Sequence, residues 1–319
     1  MRTLLQLATA ALLTSISLGA CAVTLTIGDQ SYNTRAVMEA AGVLDHLPYT
    51  VDWKQFTAGS PVAEALNAGS LDLGLLGDAP PLFLGALGAP IKVIAVTQQN
   101  LAGVAILVGK DSTIKTVADI RGKRVAIWKG SWSQQLLFTA LDKAGIPRDA
   151  VDTRYLSALD ASHALDGGSV DVIATWEPYV TQQERQGGRV IATAQGLIPA
   201  QSFVVANDRS LQDKRAAISD FLQRLKKARE WTVSDPAHNE VYADAWAGQT
   251  HADREIARAW FSRARTDVGP VSPDNIADAQ KTIDFFAGLG LIKSYPAANL
   301  FDTSFAAALQ LPATAQVAP

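Results

Sequence analysis

Cysteine is almost missing from this chain: Cys21 is the single one among 319 residues. The rest of the chain can form no internal disulfide and do no thiol chemistry, whatever the redox state of its compartment. Histidine is scarce too. His46, His163, His238 and His251 stand apart, without the i,i+4 or CxxC partners of a metal site, so no metal and no cofactor is expected. Basic charge is in deficit, 28 Lys and Arg against 31 Asp and Glu for a net charge of -3. No Lys/Arg cluster is interleaved with aromatics, and nucleic acid is set aside as a partner. No Ser/His/Asp motif, phosphate-binding glycine loop or clearly placed pair of acids is present, so no enzyme activity is expected. The apolar stretch 4–18 is broken by Thr, Ser and Gln and falls short of the roughly 20 residues of a membrane span. With Arg2 ahead of it and small residues behind, 1–22 reads as a secretory signal peptide. "ACA" before Val23 suits ordinary cleavage, and Leu18-Gly19-Ala20-Cys21 also matches a lipoprotein box with Cys21 acylated; both readings stand.

What is present is a repeated phrase. "ALNAGSLDLGLLGD" at 65–78 returns as "ALDGGSVDVIATWE" at 164–177. Each copy reads as a helix end, a left-handed glycine cap and a short buried strand beginning at Leu71 or Val170. Convergence would explain one such pair, because helix-to-strand turns favour Gly, Ser and Asp. A second pair, "TLTIGDQSYNTR" from 24 and "RVAIWKGSWSQQ" from 124, places Ser31 and Ser131 in equivalent loops. One such loop and one such strand end in each half, four loops in all, imply two lobes of similar design facing across a cleft.

With 48% hydrophobic residues the chain can bury two cores. From 24 onward strands and helices alternate, which predicts an α/β fold with largely parallel sheets. A helix is expected to open at Ser60-Pro61 with Ser60 as its cap. Thr116 and Asp119 form a capping box. After Asp208 the chain turns chiefly helical, with Trp231, Trp246, Trp260, Phe261, Phe285 and Phe286 as core residues. The rhythm breaks near 98–104 and again near 201. The expected lobes are 23–101 with 202–310, carrying a helical C-terminal extension, and 102–201. Two crossovers would form a hinge that closes on ligand, and 311–319 reads as a disordered tail.

"LNAGSLDLGLLGDAPPLFLGALGAPIKVIA", "ILVGKDSTIKTVADIRGKRVAIWKGS" and "DVIATWEPYV" resemble the solute-binding proteins of ABC importers for alkanesulfonates, taurine and nitrate, over about residues 24–260. The resemblance implies a two-lobed periplasmic-binding-protein fold of type II. It also implies a monomer that holds its ligand between the lobes and hands it to an inner-membrane permease with a cytoplasmic ATPase. An alkanesulfonate taken up for sulfur is the expected cargo. The alternatives are nitrate, bicarbonate or taurine binding, a ligand-sensing module, and an enzyme like those of thiamine-pyrimidine synthesis. That last fold carries a cysteine-rich motif, which this chain lacks.

A sulfonate has three acceptor oxygens and no donor, so its site must offer N–H and O–H groups, and helix starts supply them. The candidates are Gln30 and Ser31 from one lobe, Gly77, Asp78 and Ala79 ahead of the prolines, and Gly130, Ser131, Ser133 and Gln134 from the other lobe. Trp132, Trp128 and Trp176 are candidate walls for the tail, and Glu177 is the acid that matches Asp78. Each has a plainer reading as a helix cap, a surface residue or a core residue.

Overall fold

The structure is a computed structural model that describes residues 23–98, 100–264 and 266–310. The expected signal peptide, Cys21 and the expected disordered tail at 311–319 lie outside the described residues. The first segment alternates β1 (Thr24–Gln30), α1 (Asn33–Ala40), β2 (Thr50–Phe56), α2 (Gly59–Asn67), β3 (Leu73–Gly77), α3 (Ala79–Gly85) and β4 (Ile91–Gln98). The second comprises β5 (Val104–Val108), β6 (Arg124–Ile127), α4 (Trp132–Lys143), β7 (Asp152–Tyr155), α5 (Ala158–Asp166), β8 (Val172–Trp176), α6 (Tyr179–Arg185) and β9 (Arg189–Thr193). The chain then returns through β10 (Ser202–Asn207) to α7 (Asp208–Asp213), α8 (Arg215–Ser234), α9 (His238–Thr250), α10 (Arg254–Ala264), β11 (Asp267–Gly269) and α11 (Pro273–Gly288).

Two separate sheets result, ordered β11-β4-β10-β3-β1-β2 and β7-β6-β8-β5-β9. They are mixed rather than largely parallel. β10 runs antiparallel to β3 and β4, and β5 runs antiparallel to β8 and β9. These are the first strands after each crossover. Each enters its sheet from the other half, against the direction of the β/α repeats, while β1, β2 and β3 stay mutually parallel. β11 adds an antiparallel edge that the helical pattern of the C-terminal region had hidden.

Each sheet is covered on both faces. The first packs Leu25, Ile27, Phe221, Leu222 and Trp246 on one side and Val62, Leu66, Leu82 and Ile283 on the other. The second packs Leu136, Leu137 and Leu141 of α4 on one face and Ala161, Leu165 and Val180 of α5 and α6 on the other. β5, with both faces covered, is apolar and buried throughout. α11 ties the halves together: Ala279 and Ile283 belong to the first core, while Phe285 packs against the second and Thr282 meets Gln135 of α4 at 3.3 Å.

Locally, the repeated glycines cap as expected, Gly69 at φ 71° and Gly168 at φ 68°. The strands after them begin at Leu73 and Val172, two residues later than expected, because Asp72 and Asp171 face the neighbouring strand instead. Asp119 accepts the Thr116 amide at 2.9 Å, as a capping box requires. Ser60 is not a cap. Its helix opens two residues earlier, with Ala58 at the N-cap and no side chain bonded to the first turn.

Candidate functional site

Because the β/α repeats run the same way in each half, the C-terminal ends of β1, β2, β3, β6 and β8 bring their loops to the crevice between the sheets, as in other open α/β folds. The β1 loop is unusual. Ser31 and Tyr32 both adopt left-handed backbone, φ 57° and 59°, which is strained for non-glycine residues. Helices and the neighbouring strand hold it there: Ser31 N–H bonds Phe56 O, Trp246 Nε1–H bonds Ser31 O at 2.8 Å, and Tyr242 Oη–H bonds Asn33 O at 3.0 Å. Arg229 donates to Asn33 Oδ1 at 2.5 Å. Asp29, 1% exposed, caps α1 through the Thr34 and Arg35 amides. Burial raises its carboxyl pKa above the usual range, and those amides pull it back.

At the end of β3, Asp78 is wholly buried. Its N–H bonds Gln201 O at 3.0 Å, its Oδ2 accepts the Gln201 amide at 3.3 Å, and its Oδ1 accepts the Trp132 indole N–H at 2.7 Å. Burial pushes its carboxyl up to about 7 against these donors. In the β6 loop Ser131 is the N-cap of α4 and accepts from the Ser133 amide. Its own proton goes to Trp128 O at 2.7 Å. Ser133 Oγ accepts the Trp128 amide at 2.8 Å and Gln134 Oε1 accepts the Gly130 amide at 2.7 Å. At the end of β8, Glu177 accepts both the amide and the hydroxyl of Thr181, each at 3.0 Å. Glu177 is also paired with Arg263, which reaches across from α10 and bonds Glu184 as well, at 2.7 Å. Burial raises the Glu177 pKa more than Arg263 lowers it.

Two cavities occupy the crevice. The smaller, about 390 Å³, is lined by Ala58, Gly59 and Ser60 at the start of α2, Ala79 and Pro80 at the start of α3, Ser131 at the start of α4, and Gln30, Gly77, Trp128, Trp132 and Trp176. None of these residues is charged. The larger, about 1060 Å³, lies beside the crossovers and is bounded by residues including Ser31, Glu177, Arg229, Tyr242, Trp260 and Arg263; both cavities are open to solvent. Gln30, Gly77, Trp132 and Trp176 line both.

Of the residues expected from sequence, the structure therefore brings Gln30, Gly77, Ala79, Ser131, Trp132 and Trp176 around the smaller cavity and Ser31 and Glu177 to the larger. Asp78 lies buried behind Trp132. Gly130, Ser133 and Gln134 line neither cavity, because they are spent on closing their own loop. The β2–α2 turn, Ala58-Gly59-Ser60, went unrecognised as part of the site. The repeat pairs only two loops per half, and only the rule that strand ends share one sheet edge would have added it. Trp260 and Phe261 are buried as expected, yet they also line the larger cavity.

Two sheets joined by two crossovers around a crevice define the two-lobed periplasmic-binding-protein fold. The chain belongs to the NMT1/THI5-like family, whose model matches residues 50–239. It is 35% identical over 295 residues, 90% of this chain and 92% of the other, to an Escherichia coli (strain K12) protein named for aliphatic sulfonate binding. Its structure superposes with TM-score 0.80 at 28% identity on the alkanesulfonate-binding protein SsuA from Xanthomonas axonopodis pv. citri bound to MOPS, covering 88% of this chain and 98% of that one. The desulfurization enzyme DszB, at 15% identity and TM-score 0.69 over 89% of this chain and 98% of its own, shares the fold alone.

Proposed function

We propose that this chain captures a small organic sulfonate in the smaller cavity and delivers it to an ABC permease with a cytoplasmic ATPase. It would act as a monomer exported to the periplasm, with lobes divided near 101/102 and 201/202. One observation carries the reading. The cavity has no charged wall, and it collects the starts of α2 and α4, the former without any side-chain cap. Unpaired amides and helix dipoles suit a tetrahedral monoanion whose oxygens only accept. Trp128, Trp132 and Trp176 offer apolar surface for an alkyl tail. The relative named for aliphatic sulfonates supports the same ligand class. The enzyme alternative gains nothing from the crevice, since none of the four histidines lines either cavity.

A thermal-shift screen of the mature protein against alkanesulfonates, taurine, sulfate, nitrate, bicarbonate and thiamine precursors tests it. Selective binding raises the melting temperature by mass action. Alkanesulfonates are expected to do so with the ligand recovered intact. A shift with nitrate alone, or turnover of the ligand, would overturn the reading.

A further inference from the structure

Four residues line both cavities, Gln30, Gly77, Trp132 and Trp176, and of these the Trp132 side chain is bonded across the cleft to Asp78. Trp132 belongs to the lobe of the second sheet, while Gly77 and Asp78, which its indole touches, belong to the first. Its ring lies on Gly77, where even a Cβ would stand 3.0 Å from the indole. Its Nε1–H is bonded to the buried Asp78 at 2.7 Å. Trp176 meets it edge-on, with ring centroids 6.4 Å apart. The other oxygen of Asp78 is held by the amide of Gln201, next to the strand that returns from the hinge. The indole is thus a partition, anchored across the cleft by one hydrogen bond and by the absence of a side chain at Gly77.

We propose that Trp132 determines which tail lengths the protein accepts. With the indole on Asp78, the head group and a short tail sit in the smaller cavity, on one side of the ring. A longer tail displaces the indole and runs into the larger chamber of about 1060 Å³. The ligand class is then short sulfonates plus long-tailed ones, separated by a step. While a tail fills the first cavity, each buried methylene improves affinity roughly fourfold. At the length where the indole must leave, the Asp78 oxygen that it bonded loses its donor in a buried place and the gain stops, because a buried polar atom without its partner is costly. Affinity rises again once the tail enters the chamber. The proposal takes its ligand from the sulfonate reading, while the partition itself rests on geometry alone.

Calorimetry of linear sulfonates from methane- to octanesulfonate tests it with the wild type, Trp132→Phe and Trp132→Ala. The resonance of the Trp132 indole N–H is followed through the same series in the wild type. The expected result is a plateau in the wild-type series, a tenfold or greater shortfall against the fourfold trend, at the chain length where the indole resonance first moves. Trp132→Phe, which keeps a ring but has no N–H, removes the plateau. A smooth wild-type series, a plateau retained in both variants, or an indole resonance indifferent to chain length would overturn the proposal. If neither variant folds, the wild-type resonance series decides. If no sulfonate binds, the function proposed above falls, and solvent exchange of the ligand-free indole N–H decides the partition: slow exchange sustains it and fast exchange overturns it.

Discussion

Asp72 and Asp171 make the same pair of bonds in the two lobes. Oδ2 of each accepts the amide of a residue in the neighbouring strand, Thr26 at 2.8 Å and Arg124 at 2.9 Å. The amide of each in turn donates to the carbonyl of that same residue. The aspartate of the repeated phrase is therefore a brace at the start of the strand, and the far end of the same strand, Gly77 or Trp176, is what reaches the crevice. The two braces differ in burial. Asp72 also takes Ser210 Oγ–H and Lys214 Nζ, both within 2.7 Å, and is 7% exposed. Asp171 is half-buried and paired with Arg124 at 2.7 Å. Asp72→Ala should cost about 2 to 4 kcal/mol, since it strands an amide and an ammonium group. Asp171→Ala should cost about 1 kcal/mol. Urea unfolding measures both, and equal losses would show that the braces do not differ by burial.

The serines of the β6 loop should separate binding from stability. Ser131 lines the smaller cavity and caps α4, and on binding its proton would turn from Trp128 O to the sulfonate, so Ser131→Ala is expected to weaken sulfonate binding by about 1 to 3 kcal/mol and to lose about 1 kcal/mol of stability as a cap. Ser133 is wholly buried and holds the Trp128 amide. Ser133→Ala should lower the melting temperature, with the affinity of the folded protein changed by less than for Ser131→Ala. Calorimetry and thermal unfolding of the two single variants check this, and a reversed order of affinities would move the anion away from Ser131.

Taurine should bind more weakly than butanesulfonate. Its ammonium group needs a free carboxylate, and Glu177 is already bonded to Thr181 and Arg263 while Asp78 is bonded to Trp132 and Gln201. Glu177→Gln should leave that ranking in place. It also removes one of the two carboxylates that hold Arg263 across the cleft, Glu184 being the other, so the ligand-free variant is expected to scatter X-rays as a more open particle than the wild type. Tight taurine binding abolished by the substitution would contradict the tail assignment.

Asp78 makes stability depend on pH. Its carboxyl sits near 3.8 in the unfolded chain and is pushed up to about 7 in the fold. Between these values the folded state binds more protons than the unfolded state, so this group's contribution to stability falls as pH rises from about 4 to about 7 and is level above that. Asp78→Asn cannot titrate. Stability of the variant minus that of the wild type should therefore increase across this window, by at most about 4 kcal/mol. Denaturant midpoints at pH 4, 5.5, 7 and 8 measure the difference, and a difference that is flat or falls with pH would show that the carboxyl is not raised.

Much of this protein was written in local patterns. Apolar periodicity predicted β/α alternation followed by helices, and the repeat marked two lobes with matching strand ends. Those features depend on neighbours a few residues apart, which is why a linear reading recovers them. The equivalence of Ser31 and Ser131 was only partial. Ser131 caps its helix, whereas Tyr32 occupies that place in the other lobe and Ser31 is held in a left-handed turn by residues about 215 positions away.

Length, scarcity of cysteine, the two-lobe plan and the matching strand ends follow from the order of residues alone. The tertiary structure decided which of the loops present donors outward. Ser133 and Gln134 turn inward, Glu177 is claimed by Arg263, and the uncapped start of α2 joins the cavity. A polar group makes its bonds with whatever acceptor or donor the fold brings within about 3 Å, and in this chain the decisive partners, Asp78 with Trp132 and Glu177 with Arg263, lie 54 and 86 residues apart.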